Sequence, residues 1–182
     1  MSEFCGDYAM SNQSLSFQAM EFARYAHRDH KRKYTGAPYV DHLAEVAGIA
    51  TSVGWPGTSI SPDKFMAVCW LHDCVEDCGV TLEQIQSQFG IQVAFGVSGL
   101  SDVEVGNRAE RKAASRARLA DCPGWIQTIK VADLISNTSS IVLHDPQFAV
   151  VYLEEKRLML DVLKWAEPRL LAFAKSLVRV ES

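Results

Sequence analysis

The apolar run Phe65-Met66-Ala67-Val68-Cys69-Trp70-Leu71 passes directly into His72-Asp73-Cys74-Val75-Glu76-Asp77. One imidazole and three carboxylates thus stand at the end of a segment apolar enough to be buried. Any fold this chain adopts has to bring those groups to the edge of its core. Read as one continuous helix, the segment places His72 and Glu76 four apart, Asp73 and Asp77 four apart, and Asp73 and Glu76 three apart, all on one face. Burying such a set is costly unless a cation and hydrogen bonds compensate it, and a metal ion is the simplest compensation.

Two other segments complete the constellation. His42 follows Pro38-Tyr39-Val40-Asp41 at a helix start, and Asp133 stands among Ile129, Val131, Ala132, Leu134 and Ile135. Either residue alone would read as a satisfied buried polar group. The His72-Asp73 doublet followed by Glu76-Asp77 is more specific. His42, His72, Asp73 and Asp133 make a set of two imidazoles and two carboxylates, which suits Mn²⁺, Fe²⁺ or Zn²⁺ better than Ca²⁺. Water on such an ion becomes a nucleophile near neutral pH. Glu76 and Asp77, one turn on, are placed to orient that water, take its proton or bind a second cation. Cys74 and Cys78 are four apart, but no second pair of soft or imidazole ligands lies at a matching spacing, so they read as packing cysteines.

The chain of 182 residues, 48% hydrophobic, suits one domain spanning 1–182 with its core at about 14–165. A net charge of −4 argues against a general nucleic-acid binder. No apolar run reaches membrane-spanning length, and residues 1–7 lack the basic start and apolar core of a signal peptide. Five cysteines in no regular framework fit a reducing, cytoplasmic compartment. Helical periodicity dominates: Ser14 to about His30, Asp41–Val53, a helix opened by Ser61-Pro62 and ending in the charged motif, and a short helix between the Thr81/Gln84 capping box and Gly90. Ile91–Leu100, Asn107–Ala120, Trp125–Ser139, a helix from Asp145-Pro146 to about Trp165 and a last one from Pro168 follow. No segment alternates with period two, so the expected fold is all-α, with eight or nine helices.

At these residues the chain resembles the HD superfamily of metal-dependent phosphohydrolases. Ala26-His27-Arg28, Arg32-Lys33, Gly36, Pro38-Tyr39-Val40-Asp41-His42, the His72–Asp77 block, Thr81-Leu82-Glu83, Phe89-Gly90 and Lys130-Val131-Ala132-Asp133-Leu134 with Asn137 are more narrowly similar to the hydrolase domain of the RelA/SpoT family, in its stand-alone small alarmone hydrolase form. The likeness runs in order from about residue 17 to 160. It implies an HD-type helical fold, one Mn²⁺ on His42, His72, Asp73 and Asp133, and water activation by Glu76 and Asp77. It also implies Arg32 and Lys33 beside the nucleotide, Tyr39 lining the pocket, Asn137 at the sugar or base, Arg108 at a phosphate and Tyr152 facing the nucleotide. The implied reaction removes the 3′-pyrophosphate of (p)ppGpp.

The departures from the family pattern fall away from the metal set. The Lys33–Pro38 loop is one residue shorter than in the animal form, Ser101-Asp102 stands where Thr-Asp is common, and the stretch from Asn137 to Tyr152 is shortened. They bear on the base and make (p)ppApp a candidate, with NADPH 2′-phosphate behind it. Other HD chemistry (a 5′-nucleotidase or dNTPase) and, last, a non-catalytic nucleotide-binding protein are the rival readings. No segment is expected to hold a synthetase or regulatory domain, so the protein would degrade alarmones without making them, and pairing with a separate alarmone synthetase is compatible with that.

Overall fold

The computed structural model describes residues 13–54 and 59–178. Cys5, the N-terminal segment read above and the two ends of the 1–182 span lie outside the described residues. Among the described residues ten helices follow in order: α1 (Leu15–Ala26), α2 (Tyr39–Ser52), α3 (Pro62–Leu71), the single turn α4 (Cys74–Asp77), α5 (Leu82–Phe89), α6 (Ile91–Leu100), α7 (Arg108–Ala120), α8 (Gly124–His144), α9 (Pro146–Val162) and α10 (Pro168–Leu177). The all-α expectation holds among the described residues, whose sole extended pairing is an isolated bridge between Lys31 and Pro38.

Most helix starts are set by local chemistry. The Ser61 hydroxyl accepts from Lys64 N with Pro62 at the first helical position. Thr81 and Gln84 cap each other reciprocally, and the Asp145 carboxylate accepts from Phe148 N ahead of α9. Each satisfies amide donors that a helix start leaves without partners. Asn107 and Glu110 form a second capping box at α7. Gly90 separates α5 from α6 at φ +87°, a conformation that side chains with a Cβ disfavour.

The helix ends depart more from expectation. Helix α1 stops at Ala26, four residues before His30, and residues 27–38 form a compact turn in which Arg32 N donates to Ala37 O at 2.8 Å and Tyr39 N to His30 O at 2.9 Å. Helix α8 runs to His144, beyond Ser139, and α9 stops at Val162, short of Trp165. The continuous helix expected through the charged motif is broken after Leu71, which is why ten helices stand where eight or nine were expected. His72 keeps helical angles, but Asp73 sits at φ −101°, ψ −4° before α4 begins. The break has a visible local correlate. His72 Nδ1 lies 2.9 Å from Cys69 O, so the imidazole serves one of the last-turn carbonyls that a helix end leaves open.

Helix α8 forms the spine of the molecule. It packs against α2, α9 and α10, with Ile126, Ile129, Val131 and Ala132 fully buried along it, and α2 in turn packs on α3. Burying side chains of this size contributes roughly 1.5–3 kcal/mol each. The start of α8 is held close to the C-terminal segment, where a Cβ at Gly124 would run into the Trp165 carbonyl oxygen. The packing brings the first turn of α2, the end of α3 and the middle of α8 to one place.

Candidate metal centre and the adjoining cleft

His42 stands on the first turn of α2, His72 and Asp73 at the α3–α4 break, and Asp133 midway along α8. His42 and His72 are 1% and 2% exposed and Asp133 is 5% exposed. His42 Nε2 lies 3.4 Å from Asp73 Oδ2 and 3.4 Å from Asp133 Oδ1, and His72 Nε2 lies 2.9 Å from Asp73 Oδ2. Ligand atoms of His42, His72 and Asp133 fall within 4.8 Å of one another. The single helical face expected for the four charged groups is not what joins His72 and Asp73, since neighbours on a continuous helix point about 100° apart. The break lets both point into the same space.

The hydrogen-bonding around each ring fixes its tautomer. His72 Nδ1 faces a carbonyl, which only accepts, so the proton is on Nδ1. His42 Nδ1 lies 2.8 Å from Ser136 Oγ, whose own proton goes to Glu45 Oε2 at 2.6 Å. Ser136 therefore accepts from His42, and both Nε2 atoms carry lone pairs. Both are buried without a hydrogen-bond partner. With their inner nitrogens deprotonated, two imidazoles anchored through their outer nitrogens and facing two carboxylates make the donor set of a transition-metal ion. The electrostatics agree. Burial would lower the pKa of His42, yet Asp133 and Asp73 outweigh it and push it up to about 9. The pocket calls for positive charge, as a proton or as a metal.

The carboxylates are held as firmly as the rings. Asp133 accepts from Asn137 Nδ2 at 2.6 Å and pairs with Lys130 Nζ at 2.9 Å. Burial would raise its pKa, but Lys130 and His42 hold it well below the usual carboxylate range. The Tyr39 hydroxyl donates to Asp73 at 2.8 Å. Glu76 and Asp77 line the solvent side. Glu76 accepts from Asp102 N at 3.0 Å. Burial, with Asp73 adding to it, moves both carboxyls upward in pKa, the direction that suits a proton acceptor working near neutral pH.

The substrate residues expected from the sequence divide. Tyr39 and Asn137 bond the two central aspartates. Arg32 is engaged behind the centre: its guanidinium pairs with Glu45 at 3.1 Å and donates to the Ser136 carbonyl at 3.2 Å. Lys33 is exposed, 3.3 Å from the Tyr34 hydroxyl. Arg108 and Tyr152 stand in a separate cleft of about 170 Å³ beside Lys130, with Lys112, Lys156, Asp102, Phe148 and Glu155. Arg108 makes a two-pronged pair with Glu155 at 2.7 and 2.9 Å, and Lys112 pairs with Asp102 at 3.0 Å. Tyr152 is 7% exposed and its hydroxyl is buried without a partner. A larger cavity, about 800 Å³ between the end of α8, α9 and α10, is walled mainly by Val142, Ala149, Leu153 and Leu160. Its charged lining residues, Glu154, Arg157, Asp161 and Lys175, pair with one another.

Sequence reading missed Ser136 and Glu45. Ser136 is a polar residue three positions after Asp133 in a run buried throughout, and that spacing was the available signal. Lys130, Asp102, Lys112 and Lys156 also carried no assigned role, because their convergence depends on how α7, α8 and α9 pack.

Comparison with known proteins follows from this geometry. The HD-domain model matches residues 19–122, more than half of the chain. The guanosine-3′,5′-bis(diphosphate) 3′-pyrophosphohydrolase MESH1 of Danio rerio is 30% identical over 128 residues, 70% of this chain and 69% of that one. A probable GTP pyrophosphokinase of Mycobacterium leprae is 32% identical over 145 residues, 77% of this chain but only 17% of that far longer protein. The solved structure of a metazoan SpoT orthologue that hydrolyses ppGpp superposes with a TM-score of 0.80 over 93% of this chain and 96% of that one, at 22% identity, which speaks to the fold. No described helix is long and apolar enough to cross a membrane. A matched domain model, a relative aligned over two thirds of its length and a centre built from the motif's own histidines and aspartates agree that the chain belongs to the HD-domain family, among the relatives of the MESH1 hydrolases.

Proposed function

We propose that the protein is a metal-dependent alarmone 3′-pyrophosphohydrolase, acting on (p)ppGpp, (p)ppApp or both. The observation that carries the reading is the pair of open, buried Nε2 atoms of His42 and His72 facing Asp73 and Asp133. These four residues would hold the ion, for which Mn²⁺ fits the donors. When bound, such an ion lowers the pKa of water and polarises a phosphoryl oxygen.

The chain's own residues supply the rest. Glu76 and Asp77 take the proton of the attacking water. Its oxygen bonds to the phosphorus next to the ribose 3′-oxygen, that P–O bond breaks, and the products are pyrophosphate and a nucleoside di- or triphosphate with a free 3′-hydroxyl. Arg108, Lys112 and Lys156 offset the charge of the substrate's phosphates, and Tyr152 offers its unpartnered hydroxyl. Asn137 holds Asp133 in place and stands at the ligand's edge. Support for a guanine alarmone comes from the names of the relatives. The adenine alternative rests on the altered loops around the base. Soluble action in the cytoplasm and pairing with an alarmone synthetase belong to the same reading.

The test is incubation of purified protein with Mn²⁺ and, separately, ppGpp, ppApp and NADPH, with products resolved by anion exchange. Pyrophosphate plus a nucleoside diphosphate supports the reading, and the faster nucleotide identifies the base. Phosphate released from NADPH alone, or no turnover of either alarmone, overturns it.

A further inference from the structure

Beside the described centre, His27, His30 and Cys78 come together without an assigned role. His27 Nδ1 lies 3.2 Å from His30 Nδ1, and Cys78 Sγ lies 3.9 Å from that same His30 nitrogen. One ligand atom from each of the three lies within 4.8 Å of the others. We infer that His27, His30 and Cys78 form a second metal site, of the borderline-soft nitrogen–sulfur kind that Zn²⁺ occupies.

The geometry favours a cation over a simple hydrogen bond. His30 Nδ1 has one bonding direction, as an N–H or as a lone pair, yet two partners crowd it. A hydrogen bond to His27 leaves the sulfur unexplained, whereas an ion among the three uses each atom once. With Zn–N near 2.0–2.1 Å and Zn–S near 2.3 Å, a tetrahedron has N–N edges of roughly 3.4 Å and N–S edges of roughly 3.6 Å. The two measured separations bracket these values.

The surroundings fit the same ion. Cys74, one turn before Cys78, favours the thiolate on Cys78. Asp73 and Asp77 lie close enough to add negative potential. His30 and Cys78 are half-buried, so an ion has a path in. The sequence reading of Cys74 and Cys78 as packing cysteines rested on the lack of a second ligand pair. The end of α1 provides that pair by turning after Ala26.

The site would act as a clasp. His27 stacks on the Tyr39 ring at 4.8 Å and 12°, and Tyr39 donates to Asp73. Cys78 directly follows Asp77. An ion here ties the turn after α1 to the end of α4, with the base of the first centre between them. The inference does not depend on which substrate the enzyme takes.

Cobalt separates the two sites, because a thiolate ligand gives Co²⁺ a near-ultraviolet charge-transfer band and the first centre contains no sulfur. The full-length protein is stripped with chelator and titrated with Co²⁺ alone. The band is expected to grow to saturation at about one equivalent bound to this site, and to collapse when Zn²⁺ is added. It is expected to persist in Asp73→Asn, which disables the first centre, and in Cys5→Ser and Cys122→Ser. It should vanish in Cys78→Ser. Should that variant not fold by circular dichroism, His30→Gln serves instead and should need at least about tenfold more Co²⁺ for the same band. No band at excess Co²⁺, a band surviving Cys78→Ser, or an unchanged titration in His30→Gln overturns the inference. Absence of alarmone turnover in the parent protein with the band intact would count against the proposed function and leave this site standing.

Discussion

The wall around His42 and His72 and the cleft around Arg108 and Lys156 adjoin each other through Lys130, yet they are built on opposite plans. In the wall every outer polar atom is fixed by a partner from its own fold, and the inner atoms are left open: His72 by the Cys69 carbonyl, His42 by Ser136 and Glu45, Asp133 by Lys130 and Asn137. In the cleft two of the cations are already matched by acids, Arg108 by Glu155 and Lys112 by Asp102. The wall is organised before anything binds. The cleft has to exchange internal ion pairs for those of a ligand. Under the proposed function, chemistry that demands fixed distances falls to the first region, and recognition of a flexible polyanion to the second.

The largest effect is therefore expected where the wall loses a ligand. Asp73→Asn should reduce turnover to background and lower bound metal together, read by product assay and by elemental analysis of the same sample. Turnover near the parent level would show that the open nitrogens are not where the ion sits. Next comes Glu76→Gln, which keeps the shape and removes the proton acceptor. It should lower kcat by about 10²–10⁴-fold with metal content unchanged. A variant of full activity would pass the role to Asp77, which its upward-shifted carboxyl also suits.

Ser136→Ala tests whether the outer partners matter as the contrast implies. The His42 ring loses its acceptor and Glu45 its donor. Metal affinity should fall about 10–100-fold, with most of kcat recovered at saturating ion. A competition titration with a metal indicator measures it. Unchanged affinity would mean that packing alone holds the ring, and the wall would differ less from the cleft than its hydrogen bonds suggest.

How much of this could be read beforehand follows the range of the interactions involved. Ser61-Pro62, Thr81 with Gln84, and Asp145-Pro146 announce helix starts because capping needs only residues within one turn. His42, His72, Asp73 and Asp133 were legible as a set from residue chemistry and family resemblance, and the fold brings them together. The break after Leu71 was not legible, because an apolar run continuing into Asp73-Cys74-Val75 has no Gly or Pro to announce it. It coincides with the His72 ring reaching back to the Cys69 carbonyl. Arg32, expected beside the ligand, also bonds Glu45 and Ser136, residues 13 and 104 positions away. Partners that distant leave no local trace.

The cleft carries a group that titrates near neutral pH. Burial pushes the Lys156 amine down to about 7, with Lys130 and Lys112 adding to it and Asp133 and Asp102 opposing. Half of its charge is then gone at neutral pH. A phosphate ligand favours the charged form, so the free enzyme binds more tightly below that value and loses affinity above it. KM should rise about three- to tenfold from pH 7 to pH 8.5, short of the full unit-for-unit linkage because the group is half-buried. Lys156→Met should flatten that rise. A parent profile that is already flat would mean the amine keeps its charge and the cleft is as preset as the wall.

The smallest effect discriminates most directly between the two plans. If Glu155 competes with the ligand for Arg108, Glu155→Gln frees the guanidinium and KM should fall. The pair is partly exposed, with Arg108 half open to solvent, and such pairs contribute roughly 0.2–1 kcal/mol, so a fall of about 1.4- to fivefold is the range to look for. The change should shrink as ionic strength rises, since screening weakens exposed charges most, and kcat should stay put because neither residue touches the proposed reacting atoms. A rise in KM instead would mean that Glu155 holds Arg108 in its binding position. The cleft would then be preorganised by its acids in the way the wall is by Ser136 and Lys130, and the two regions would share one plan.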